Sequence, residues 1–229
     1  MAERRTTPTP LSGADLNASL RAVGLRLGPR ATTLTPPSPE HVVVSAVAEA
    51  LPTDYRLLSV TTTWLGVHAP RLHLAELARL LPVAEQECDD AERFRAYWAG
   101  AAHWLGKDNR WSKVARAYQG KPVFLSTLEP EIARMTLERR GEDPRFSGSR
   151  LLVPTGLLRD RAADVDSPAA LAKLHPWYRE RVRQGPTYRA DCWAELERDP
   201  TLTPARLAER VGCTYPVAHR AVEDWRLVA

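Results

Sequence analysis

Thr203-Pro-Ala-Arg-Leu-Ala-Glu-Arg-Val-Gly-Cys-Thr-Tyr-Pro-Val-Ala-His-Arg-Ala-Val-Glu-Asp-Trp225 is the stretch from which the chain is read. Ala208 stands four residues before Gly212, with apolar Leu207 and Val211 beside them. A second apolar set follows at Val217, Ala218, Ala221, Val222 and Trp225. The spacing predicts two helices meeting at a tight turn. Ala208 is small enough for close approach, and Gly212 supplies the positive φ that such a turn needs. The second helix then presents Thr214, Tyr215, Pro216, His219 and Arg220 to a partner, with Glu223 at the margin. Val217 is expected to fill the space that small Ala218 leaves.

Upstream, helical spacing dominates. Ser12 to Leu27 places Leu16, Leu20, Val23 and Leu27 on one face, with Ser12 as N-cap and Gly28-Pro29 as the stop. Thr32 to Pro39 reads as a loop, and Glu40 to Leu51 as a helix closed by Pro52. Asp54 to His68, Leu72 to Leu81 (bounded by Pro70 and Pro82) and Ala91 to Leu105 continue the pattern. Arg110 to Tyr118 is expected to be helical as well. Phe94, Tyr97, Trp98, Trp104, Trp111 and Tyr118 fit core packing better than a ligand pocket. His103, on the same helix, is expected in the core or at its boundary.

After Gly120 the character changes. Pro122 to Leu125 reads as extended, and Glu129 to Arg140 as a helix ended by Gly141. Arg150 to Val153 and Gly156 to Leu158 form a small hairpin or lie extended on the core. Ser167-Pro168 opens a helix, His175 to Gln184 is another, and Thr187 to Arg198 packs behind the C-terminal pair. The expected organisation is a disordered tail over 1–11, a helical domain over 12–120, an irregular connection over 121–166 and a basic helix with the C-terminal unit over 167–229.

Charge is unevenly placed. Residues 139–186 carry ten cations against six acids, whereas 187–229 carry six against seven. Cys88, Cys192 and Cys213 are far apart and form no CxxC pair, which argues against a disulfide framework or a structural zinc site. Cys192 and Cys213 read as small buried apolar residues, in a reduced, cytoplasmic protein. No apolar run approaches the ~18 residues of a membrane span. No secretory signal is read at the N-terminus.

The segment from Pro204 to Trp225 resembles the helix-turn-helix superfamily of bacterial DNA-binding proteins through Leu207, Ala208, Val211, Gly212, Cys213, Ala218, Ala221 and Val222. The resemblance covers about residues 187–229 and implies a C-terminal three-helix unit without a wing; with the helical spacing upstream, the expected fold is mainly α, an N-terminal helical domain followed by that unit. The resemblance also implies a transcriptional regulator that binds double-stranded DNA, with the N-terminal end of the second helix in the major groove. Thr214, Tyr215, Pro216, His219 and Arg220 would meet bases or phosphates. Lys173, Arg179, Arg181, Arg183 and Arg189 are expected to clamp phosphates from upstream. The helical domain would then bind a ligand, a protein partner or a second copy of the chain, and a homodimer would read two half-sites.

Two other readings stand beside it. One is a protein-interaction module, such as an antitoxin or a defence-system accessory protein, whose acidic helices over 31–105 grip a basic partner. The other is an enzyme without a local motif. No catalytic, cofactor or metal residues are read: HExxH, GxSxG, Walker A and dinucleotide-binding glycine patterns are all missing from the sequence.

Overall fold

The computed structural model describes residues 7–27, 36–51, 53–106 and 109–228. The protein is mainly α. The first helices are α1 (Gly13–Leu20), α2 (Pro39–Ala50), α3 (Tyr55–His68), α4 (Leu74–Glu87), α5 (Ala91–Leu105) and the short α6 (Ser112–Ala115). β1 (Val123–Phe124), α7 (Pro130–Arg140) and β2 (Leu151–Leu152) follow. The chain then runs through α8 (Pro168–Leu174), α9 (Pro176–Gln184), α10 (Tyr188–Arg198), α11 (Pro204–Val211) and α12 (Tyr215–Val228).

Local chemistry sets many of the helix starts. The side chains of Ser38, Asp54, Asp90, Ser167 and Thr187 each accept a backbone N–H at an N-terminus. Proline stands in the first turn of α2, α7, α8, α9 and α11, where a missing N–H costs nothing.

Several expected boundaries are corrected. The first helix stops at Leu20, passes through a 3₁₀ turn at Arg21–Val23 and ends at Gly24, whose φ is 80°. Ser12 is extended and makes no side-chain cap. The stops expected at Gly28-Pro29 and at Pro52, and residues 32–35 of the Thr/Pro loop, lie outside the described residues. α4 runs straight through Pro82 to Glu87. Leu80, Leu81 and Ala84 are buried on either side of Pro82, and that packing offsets the one hydrogen bond proline cannot donate. The helix expected over 110–118 shrinks to a 3₁₀ turn and the four residues of α6. Of the two readings for 150–158 the hairpin fails. β2 pairs in parallel with β1, Val123 against Leu151 and Phe124 against Leu152, so α7 lies in a crossover.

Most of the molecule packs on one apolar core. α2 is buried almost all round, and it packs on α3 and α4. Trp64 sits at the centre and donates its indole N–H to the Val23 carbonyl at 2.7 Å. Phe94, Tyr97, Trp98, Trp111 and Tyr118 are buried and Trp104 is half-buried, so the aromatic run is core. His103 instead points outward and is exposed. Leu125, Phe146, Leu151, Val153 and Leu158 insert into this core, as do Leu171 and Tyr178 of α8 and α9. At Gly100 an added Cβ would meet the Phe146 ring at 2.9 Å, so only glycine fits. A second, separate cluster lies in α10, α11 and α12, built from Cys192, Leu196, Leu202, Leu207, Val211, Cys213, Ala218, Ala221 and Val222.

Candidate functional site in the C-terminal three-helix unit

α11 begins at Thr203, whose hydroxyl accepts the Arg206 N–H at 3.4 Å, and at Pro204. It ends at Gly212 in the left-handed region (φ 69°, ψ 26°). The Cys213 N–H then reaches back to the Ala208 carbonyl at 3.1 Å, so the turn is closed by backbone bonds. Leu207 and Val211 of α11 pack on Ala218, Ala221 and Val222 of α12, and both helices rest on Cys192 and Leu196 of α10. Trp193 and Trp225 meet edge-on at 5.4 Å and close one side. Val217 does not fill the space beside Ala218. It lies on the surface, 36% exposed, because Ala221 and Val222 take the inward-facing positions.

Thr214, Tyr215, Pro216, His219 and Arg220 are all exposed at the start of α12. The Tyr215 and His219 rings lie 5.7 Å apart, and His219 Nδ1 is 3.2 Å from the Glu223 carboxylate. Arg206, Arg220 and Arg226 make no ion pair among the described residues.

The upstream clamp is arranged differently from the sequence expectation. Arg181 is fully buried and cannot reach a phosphate. Arg179 is paired with Glu197 and Glu180, and Arg183 bonds Glu180 at 2.7 Å. Arg189 lies over the Trp193 ring and pairs with Asp224 at 3.1 Å. Lys173 is exposed and makes no ion pair among the described residues. Each of these three arginines therefore carries a carboxylate beside it.

Sequence reasoning missed what stands behind the unit. Between the two apolar clusters runs a seam of buried charges. Arg181 donates from Nε and Nη2 to both oxygens of Asp191, at 2.7 and 2.8 Å. Its Nη1 donates to both oxygens of Glu40, at 2.7 and 2.9 Å. Glu40 also accepts the His73 backbone N–H, the first residue before α4, at 2.7 Å. The Tyr188 hydroxyl donates to Glu76 at 3.1 Å, and Glu76 holds Arg79 in turn. Arg79 stands against the turn itself: a Cβ on Gly212 would lie 3.1 Å from its Nη2. The sequence held one trace of this seam, since Glu40 is a lone carboxylate entering the Val42-Val43-Val44 run, but nothing named its partner.

Burial shapes the protonation of these groups. It works against the Arg181 charge, yet Asp191 and Glu40 outweigh it and raise its pKa. Burial pushes the Asp191 carboxyl up to about 6, against the pull of Arg181. Burial, aided by Arg181, brings His73 down to about 4. Burial likewise lowers His68 and His175 to about 4. His68 is held between the Tyr178 hydroxyl and the Asp166 carbonyl, and His175 by the Pro37 carbonyl, so both are satisfied core imidazoles.

Among the described residues no three His, Cys, Asp or Glu side chains converge to hold a metal ion. No described helix is long and apolar enough to cross a membrane. Comparison with protein-family models, curated proteins and solved structures finds no match to this chain.

Proposed function

We propose that the chain binds duplex DNA through α12, used as the second helix of a helix-turn-helix, and acts as a transcriptional regulator. The observation that supports this reading is the partition of one helix. Ala218, Ala221 and Val222 are buried against α10 and α11, while Thr214, Tyr215, Pro216, His219 and Arg220 stand in solvent at its N-terminal end. A helix start carrying hydroxyl, phenol, imidazole and guanidinium groups has the donors that base edges and phosphates accept. Arg220, with no carboxylate partner among the described residues, is the residue we assign to the principal contact, with Arg206 on α11 beside a phosphate. Arg179, Arg183 and Arg189 are secondary, because each must leave a carboxylate first.

Binding to mixed-sequence duplex should therefore weaken as salt rises, with a log–log slope of about −0.9 per phosphate neutralised. The measurement is fluorescence anisotropy of labelled duplexes, including DNA from around the chain's own gene, from low to physiological salt. Arg220→Ala should weaken binding and reduce the slope by roughly one contact, and Arg183→Ala should do less. Absence of salt-sensitive binding would remove the reading.

A second reading, contact with protein, is favoured by the far end of the same helix. Leu227 is 83% and Val228 68% exposed, on a unit where Arg189, Arg198 and Arg210 are paired with carboxylates. In that case sedimentation should reveal self-association without DNA, and Leu227→Asp should abolish it.

A further inference from the structure

The sulfurs of Cys192 and Cys213 lie 3.7 Å apart, in contact but not bonded. Cys192 is on the inner face of α10, and Cys213 follows Gly212 in the turn between α11 and α12. Both are buried, within Leu196, Leu207, Val211 and Ala218. What two cysteines add is a pair of thiols facing each other across the joint between one helix and the turn that aims the next.

We propose that Cys192 and Cys213 are a dithiol that a peroxide closes to a disulfide, stapling α10 to the turn before α12. The inference stands on the geometry of the unit and does not depend on DNA binding. In the first step one thiolate attacks a peroxide oxygen. The O–O bond breaks, water leaves after protonation, and a sulfenic acid forms. In the second, the other thiolate attacks that sulfur. The S–O bond breaks and the sulfenic oxygen departs as water. Two thiols and one hydrogen peroxide give one disulfide and two waters, the sulfurs losing two electrons and the peroxide gaining them.

Closing the bond needs the sulfurs to approach from 3.7 Å to about 2.0 Å. The packing also sets the rate. The contact with Cys213 and then burial raise the Cys192 pKa, so thiolate is scarce while the cluster is closed. Reaction therefore proceeds through opening of the unit, and the product then resists opening. Residues 192 and 213 are 21 apart, so the bond also closes a sizeable loop in the unfolded chain. Thr214, the first residue of the exposed surface, is bonded directly to Cys213 and receives whatever shift the closure causes.

The test uses the full chain carrying Cys88→Ser, so that the pair alone remains. After exposure to hydrogen peroxide, maleimide labelling of the denatured protein should fall from two thiols to none. Intact mass should drop by two hydrogens, and non-reducing digestion should yield the linked Cys192–Cys213 peptide. The melting temperature should rise by about 5 °C and return on addition of dithiothreitol. Retention of both thiols, gain of oxygen as sulfinic or sulfonic acid, or a disulfide between two molecules would each overturn the proposal. Cys213→Ser in the same background should show neither the linked peptide nor the shift. If that variant does not fold, the linked peptide and the reversible shift in the Cys88→Ser protein still decide the matter.

Discussion

Arg181 is surrounded by the two carboxylates of Glu40 and Asp191, and none of the three reaches water. Such a group gains little over a well-packed apolar core, but removing one member leaves the others charged and unpaired. Arg181→Ala should therefore cost about 3–5 kcal/mol, read as a fall in the urea midpoint. Adding Glu40→Gln to that variant should recover part of the loss, because one unpaired charge disappears. Equal losses in the single and double variants would show that the cost is cavity alone. The same residue explains why a run rich in arginine misleads when read by itself. Arg179, Arg181 and Arg183 look alike in sequence, yet only Arg183 sends most of its side chain into solvent, and even that one pairs with Glu180.

α11 and α12 depend on a turn that favours glycine. Gly212 has φ 69°, and Arg79 of α4 stands where a Cβ would point. Gly212→Ala should destabilise the C-terminal unit by about 1 kcal/mol from backbone strain, plus whatever Arg79 must yield. Native-state hydrogen exchange should place the loss in α11 and α12 first, since their apolar cluster is separate from the main core. Uniform loss of protection across α2 and α5 would show instead that the two clusters unfold as one. The turn itself is legible in the sequence, through Ala208, Gly212 and the apolar spacing on either side. The exposure of Thr214, Tyr215, Pro216, His219 and Arg220 followed from the same periodicity, whereas that of Val217 did not. The parallel β1–β2 pair was not legible, because two-residue strands carry no period to read.

Across the whole molecule, burial makes stability depend on pH. His68, His73 and His175 bind protons in the unfolded chain near 6.5 but only near 4 when folded. Their contribution is complete above about pH 6.5 and is lost as the pH falls towards 4. Asp191 has the opposite sign: its raised pKa favours the folded state below 3.8, and that advantage disappears as the pH rises through 6. Three histidines outweigh one carboxyl, so unfolding near pH 5 should take up roughly two protons, and the urea midpoint should fall steadily from pH 7 to 5. His175→Gln should flatten that fall, and a midpoint independent of pH would contradict the buried neutral imidazoles. The sequence by itself determined that the protein is mainly helical, where most helices lie and where the C-terminal turn falls, because these follow from spacing over a few neighbouring residues. Tertiary structure alone decided which charges survive at the surface. Glu40 and Arg181 are 141 residues apart, and any of the acids could in principle have met any of the arginines. Only the folded chain brings Glu40 of α2, Arg181 of α9 and Asp191 of α10 together and takes Arg181 away from a partner. Local spacing therefore fixes helices and the faces they bury, and long-range pairing fixes the electrostatics of the surface they present.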